Sequence, residues 1–324
     1  MPDFRTIEAV ESSDTDGLIR IVDGHCRSRS WSDLLSLRTL LSDALSRGKQ
    51  LWGVDQHIRY RLALEGPPDL ASAAVLEGPA RFALGPLTEV AANRHSFADL
   101  EPHLPAGPER TLIAHERVLA NELIDFAGID PTVLELPLVL MNWEPQYSRP
   151  QYQADRVESH PPALPPLSEC SLPEQAEVVD DPDTVVALMG LVTPWIEESN
   201  GRGQAVCAGG NALCAIRALG LGRARIAAIP ATTALGWMAW AAASGGAMGR
   251  RRGGAAGRFA TWWVLSALGE SGWPAPGDEL GETASRLRWY AWSDLAPATG
   301  WALNLAIVDP DEGLAWAIGA VDAV

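Results

Sequence analysis

The chain has 324 residues, of which 47% are apolar, 20% charged and 7% aromatic, and this composition excludes a collagen-like or wholly disordered polypeptide. At roughly 150 residues per domain, the length predicts two domains, each long enough to bury a core. A formal charge of −16, from 41 acidic against 25 basic residues, argues against general nucleic-acid binding, because phosphate contacts rest on basic side chains that release counterions.

The first residues, Met1-Pro2-Asp3-Phe4-Arg5-Thr6-Ile7-Glu8, are too acidic and too broken for a signal peptide, so a cytoplasmic protein is expected. Residues 1–130 read as successive amphipathic helices. One opens at the capping residues Ser30, Ser32 and Asp33, repeats Leu34, Leu37, Leu41 and Leu45 at three- and four-residue steps, and stops at Gly48. A second is expected over 50–65, ending at Gly66-Pro67-Pro68. A third, over 79–93, places Phe82, Leu87 and Val90 on one side, with a kink or break at Gly85-Pro86. A fourth, over 109–126, carries Leu112, Val118, Leu119, Leu123 and Ile124. No fixed period supports true repeats. Residues 1–143 are therefore expected to form a helical domain, although 134–143, rich in Leu and Val, has strand-like composition.

Between 144 and 183 the character changes: eight prolines in forty residues forbid a continuous helix and predict an extended connection. Residues 184–324 should form the second domain. Helices are expected over 184–198, 211–219, 231–243 and 255–268, with a strand over 223–229. Three further strands are expected over 287–292, 301–308 and 314–321, the last two joined through Asp309-Pro310-Asp311-Glu312-Gly313. In the last two strands Trp301, Leu303, Leu305 and Ile307 alternate with small residues, as do Leu314, Trp316 and Ile318. The large face should pack on helices, and the small face should let another element approach. The predicted class is α+β: an all-α N-terminal half and an α+β C-terminal half whose small antiparallel sheet ends in a β-meander. Ten of the thirteen tryptophans lie at or beyond Trp195, at strand spacings that suit a core better than a ligand platform.

Charge is segregated. Residues 201–277 hold eight arginines and one acid, Glu270, for +7, which leaves −23 on the remainder. Four of those arginines stand in the Gly/Arg-rich segment 244–258. A continuous helix there would carry six glycines, each costing about 1 kcal/mol relative to alanine, so a loop opening a helix near Gly254 is favoured. Backbone N–H groups of such a loop, with Arg250, Arg251, Arg252, Gly253, Gly254 and Arg258, make a candidate site for a phosphate or carboxylate. The competing reading pairs these arginines with Asp and Glu of the first domain.

Other motifs fail. No G-K-[ST] follows the glycines, His115-Glu116 lacks a second histidine at Leu119, and no G-x-S-x-G occurs. Asp309, Asp311 and Glu312 begin like a calcium loop, but Gly313 stands at the third ligand position, so a solvated turn is expected. Cys26, Cys170, Cys207 and Cys214 form no C-x-x-C pair; neither a disulfide framework, a metal nor a cofactor is expected. Residues 226–249 carry no formal charge and are long enough to span a bilayer, yet are built from Ala, Gly and Thr around Pro230, which suits a buried helix.

The segment 245–263, with Trp289-Tyr290 and 301–316, resembles an uncharacterised family of actinomycete proteins, in keeping with 24 arginines against the single Lys49. The resemblance carries no activity. On the residues themselves, the expected function is a protein-binding or regulatory module whose acidic helical half engages a protein partner. The alternative is an enzyme or sensor that holds a phosphate-bearing small molecule through 244–258. Membrane association through 226–249 is a third reading.

Overall fold

The computed structural model describes residues 4–126, 128–295 and 300–323. The chain divides into two compact units, Met1–Val133 with Pro150–Glu158, and Leu134–Arg149 with Ser159–Val324. The proline-rich stretch 144–183 thus contributes to both units.

The first unit is helical. Helices α1 (Phe4–Ser12), α2 (Thr15–Ser28), α3 (Trp31–Ser46), α4 (Trp52–Glu65), α5 (Pro68–Leu76), α6 (Leu87–Arg94), α7 (Phe97–Leu100) and α8 (Pro108–Val118) are followed by a hairpin of β1 (Gln151–Tyr152) and β2 (Val157–Glu158). Leu18 and Val22 of α2, Leu34, Leu37 and Leu41 of α3, and Val54 and Ile58 of α4 share one buried cluster. Each contributes on the order of 1.5–3 kcal/mol by leaving water. The hairpin is tied to the helices by polar groups: the Tyr152 hydroxyl donates to Glu89 at 2.5 Å, and Asn93 Nδ2 donates to the Pro150 carbonyl at 2.7 Å.

Two expected helices are shorter than their sequence patterns. The stretch 79–86 is irregular, and α6 begins after Pro86, whose ring nitrogen has no N–H. A side chain on Gly85 would strike the Tyr152 hydroxyl, and Phe82 is 65% exposed rather than aligned with buried Leu87 and Val90. Helix α8 stops at Val118 because the chain turns back on itself: Asn121 adopts a left-handed conformation, and the Asn121 and Glu122 amides donate to Val118 and Arg117. Leu123, expected on the buried face, is 89% exposed.

The second unit is α+β. It contains β3 (Ser168–Ser171), β4 (Val178–Val179), α9 (Pro182–Gly190), α10 (Thr193–Glu197), β5 (Arg202–Gly209), α11 (Ala212–Ala218), β6 (Arg223–Ile229), α12 (Ala231–Ser244), α13 (Gly254–Leu268), α14 (Gly277–Arg286), β7 (Arg288–Ser293), β8 (Trp301–Asp309) and β9 (Leu314–Asp322). The strands form one antiparallel sheet in the order β3-β6-β7-β8-β9-β5-β4, so β6 to β9 are a meander. In the β8–β9 register Leu305 faces Ile318 and Ile307 faces Trp316. This large face joins Leu188 of α9, Met238 of α12, Trp262 of α13 and Leu280 of α14 in the main core. The small face, Ala306, Ala315 and Ala317, receives Ala212, Ala215 and Ile216 of α11. Gly319 lies 2.9 Å from the Trp292 ring, measured from where a Cβ would stand.

Three local expectations change here. Residues 134–143 form no strand, because Leu134 and Glu135 are left-handed and the Pro137 and Val139 carbonyls accept from a guanidinium instead of a ladder. The helix expected over 184–198 is two helices, divided before Pro194. Strand β5, which the sequence reading did not mark, lies between β9 and β4. Among the described residues no helix is long and apolar enough to cross a membrane; α12 has 14 residues.

Candidate functional site

Residues 245–253 form a loop, and α13 opens at Gly254. Gly245, Gly246 and Gly253 have φ of 75°, 79° and 101°, the left-handed region that glycine enters without steric cost. The loop does gather oxygen acceptors, and the chain supplies them. The Ala247 amide donates to Asp322 at 2.6 Å, the Met248 amide to Ser199 at 3.1 Å, and the Arg250 amide to Glu198 at 3.3 Å. Arg252 Nη2 donates to Glu198 at 2.6 Å, and Arg251 Nη1 reaches Ser159 Oγ at 3.4 Å. Arg250 is exposed, while Gly253 is buried beside the start of α13.

Arg258 is fully buried. Its Nε and Nη2 donate to the two carboxylate oxygens of Glu144 at 2.7 and 2.6 Å, and Nη1 and Nη2 donate to the Pro137 and Val139 carbonyls at 2.8 Å each. Glu144 also accepts from the Tyr147 hydroxyl, the Trp262 indole and the Met141 amide. Burial by itself would raise the Glu144 pKa, but the hydrogen bonds and charge of Arg258 outweigh it and hold the carboxyl below its ordinary value. The same surroundings push Tyr147 well above its ordinary value, burial first and the neighbouring carboxylate second.

A cavity of about 990 Å³ opens elsewhere in the second unit. It lies among the N-terminal turn of α9, the end of α13, Arg286 of α14 and the β8–β9 turn. Asp181 caps α9, accepting from the Thr184 amide at 3.2 Å, and its other oxygen accepts from the Trp316 indole at 2.6 Å, which locks the helix start to β9. Pro182 takes the first helical position, where a missing N–H costs nothing. Across the cavity Arg286 is paired with Asp309, which also accepts from the Asp311 and Glu312 amides. Asp309 is only 2% exposed and anchors the turn from its buried end, while residues 310–313 are exposed, as the expected solvated turn requires. Burial pulls its pKa upward, but Arg286 and the turn amides prevail and hold it below the ordinary value.

The aromatic wall comes from α13 and the turn after it. Trp262 faces the core, whereas Trp263, the next residue, is 43% exposed. Its ring lies 5.4 Å from Trp273 and 6.4 Å from Phe259, centroid to centroid, and the Trp273 indole donates to Glu135 at 2.8 Å. Six carboxylates line the cavity, Asp180, Asp181, Asp183, Glu270, Asp309 and Glu312, against the one guanidinium of Arg286. No set of His, Cys, Asp and Glu with metal-holding geometry occurs among the described residues.

None of the arginines of 250–258 lines this cavity. The sequence reading missed its residues, although two signals were present. Asp180-Asp181-Pro182-Asp183 is a helix-start pattern dense in carboxylates, and a Trp-Trp pair in a buried helix must send one ring toward another face.

Fold and cavity together define a two-unit α+β protein with an acidic, indole-lined cleft in its C-terminal unit. By its sequence the chain belongs to a family of unknown function, DUF6183, whose match spans residues 16–323. No curated protein and no solved structure matches the chain.

Proposed function

We propose that this protein is a binding module and that the cleft between α9, α13 and the β8–β9 turn receives a segment of a partner protein. The observation that carries this reading is Trp263: a large indole, 43% exposed, standing at the edge of a cavity of about 990 Å³. Half-exposed indoles beside concave surfaces are the residues that dominate binding energy at protein interfaces. The sequence expectation of a protein-binding module is kept, with its contact surface assigned to the second unit. Four free cysteines, two of them buried, fit the reducing interior of a cell, and we place the protein in the cytoplasm. The test is selection of a random-peptide display library on the full-length protein, with Trp263→Ala as counter-selection. Peptides retained by the natural protein and released by the variant support the reading; a selection indifferent to Trp263 overturns it.

A second reading keeps an anionic small molecule at Arg250, Arg251 and Arg252. In its favour, the loop amides already hold the carboxylate oxygens of Glu198 and Asp322, and the Arg250 side chain is exposed. An external phosphate would have to displace Glu198 from Arg252. On this reading Glu198→Gln increases the thermal stabilisation given by inorganic phosphate or nucleotides, and an unchanged melting curve in both proteins rejects it.

A further inference from the structure

The charge and shape of the cleft specify what kind of segment it takes, an inference that rests on reading the cleft as a binding site. Its one cation, Arg286, is paired with Asp309, and Asp181 is engaged by the start of α9 and the Trp316 indole. Asp180, Asp183, Glu270 and Glu312 remain, all exposed and, among the described residues, without a side-chain partner. The N-terminal end of α9 would ordinarily attract an anion. Here Asp181 satisfies that end, and Asp183 turns the rim negative.

The aromatic wall adds a second, independent preference. Trp263 is 43% exposed at the cavity, and an indole's π-system attracts an ammonium or guanidinium. Exposed Val186 on the same rim offers an apolar surface on which the methylene stem of an arginine or lysine can lie while its head reaches the carboxylates. The volume is at the top of the range for small-molecule pockets, roughly 300–1,000 Å³, and the cavity is partly open to solvent, which leaves room for a run of residues.

We infer that the cleft takes an extended, arginine- or lysine-bearing segment of a partner protein, with its cationic heads among Asp183, Glu270, Glu312 and the Trp263 indole and its stems on Val186. A phosphate-bearing ligand is repelled from this site by the same carboxylates.

The test is fluorescence anisotropy with the full-length protein and four probes: an alternating arginine–leucine peptide, its glutamate–leucine and serine–leucine counterparts, and competing spermine. The basic peptide is expected to bind, and the other two peptides are not. Binding should weaken as salt is raised, fall about fivefold in the double variant Asp183→Asn, Glu270→Gln, and be lost in Trp263→Ala, whose fold is checked by circular dichroism. Trp263-dependent binding of the glutamate or serine peptide would leave the cleft as a site and overturn its charge preference. Basic-peptide binding unchanged in both variants would reflect the overall charge of the chain and overturn the inference. Spermine bound in a Trp263-dependent way by titration calorimetry, with no peptide bound, would overturn the peptide assignment.

Discussion

Glu144 and Arg258, 114 positions apart in sequence, form an ion pair with no exposure of either side chain, joined by two hydrogen bonds of 2.6 and 2.7 Å. The pair ties α13 to the segment 134–149, and it explains why that segment runs as an irregular chain with two carbonyls turned toward the guanidinium. Removing one partner leaves the other charge buried without compensation. Glu144→Gln is therefore expected to cost about 3–5 kcal/mol, read from urea unfolding. Arg258→Met combined with Glu144→Leu should recover part of that loss, since two apolar groups carry no orphaned charge.

Acid should weaken the protein in two stages. His57 and His95 have lowered pKa values, chiefly through burial, so below about 6.5 the unfolded chain takes up protons that the native state does not. Stability then declines until the native histidines protonate. Glu144 and Asp309, held below ordinary values by Arg258 and Arg286 against their burial, stay charged in the native state while the unfolded carboxyls protonate near pH 4. Their contribution is fully present above that pH and is lost as pH falls through the native values. Urea midpoints measured from pH 7.5 to pH 3 should show both declines, and His57→Gln should reduce the first while leaving the second.

Close approach of α12 and α13 depends on Gly257, whose added Cβ would strike the Ala239 carbonyl. That contact is backbone and cannot rotate away. Gly257→Ala should thus destabilise by about 1–3 kcal/mol, the usual cost of overpacking, in spite of its better helix propensity. Gly222→Ala, where the new Cβ meets nothing within 4 Å, is the control and should change stability little.

Cys207, buried in β5, has its thiol pushed up to about 11 by burial and then by Asp181. Native protein at pH 8 should therefore react with a thiol reagent at Cys207 only as fast as it opens, whereas half-buried Cys170 and Cys214 react before it. Mass mapping of partially labelled protein checks the order.

What the sequence disclosed was local. The Leu34, Leu37 and Leu41 spacing marks α3 because a helix face needs nothing but its own residues, and the alternation through Leu303, Leu305 and Ile307 gives both faces of β8. What it withheld was set at long range. Residues 134–143 carry a strand's composition but lose their ladder to Arg258. Arg252 finds its acid in Glu198 of its own unit, not in the helical half. The cleft is assembled from Asp183, Glu270 and Glu312, which share it only because the start of α9, the end of α13 and the β8–β9 turn border one cavity. The match to a family of unknown function bears out the resemblance, which the sequence placed chiefly in 200–322, and extends it to residues 16–323, adding neither an activity nor a source.

The central claim, that the cleft of the second unit is where a basic segment binds, is tested most directly by locating the contact. An arginine–leucine peptide carrying a photoreactive group is bound to the full-length protein, irradiated, and mapped by proteolysis and mass spectrometry. Crosslinks within 179–186 and 263–273 are the predicted result. Crosslinks confined to the acidic helices of 4–126 would contradict it.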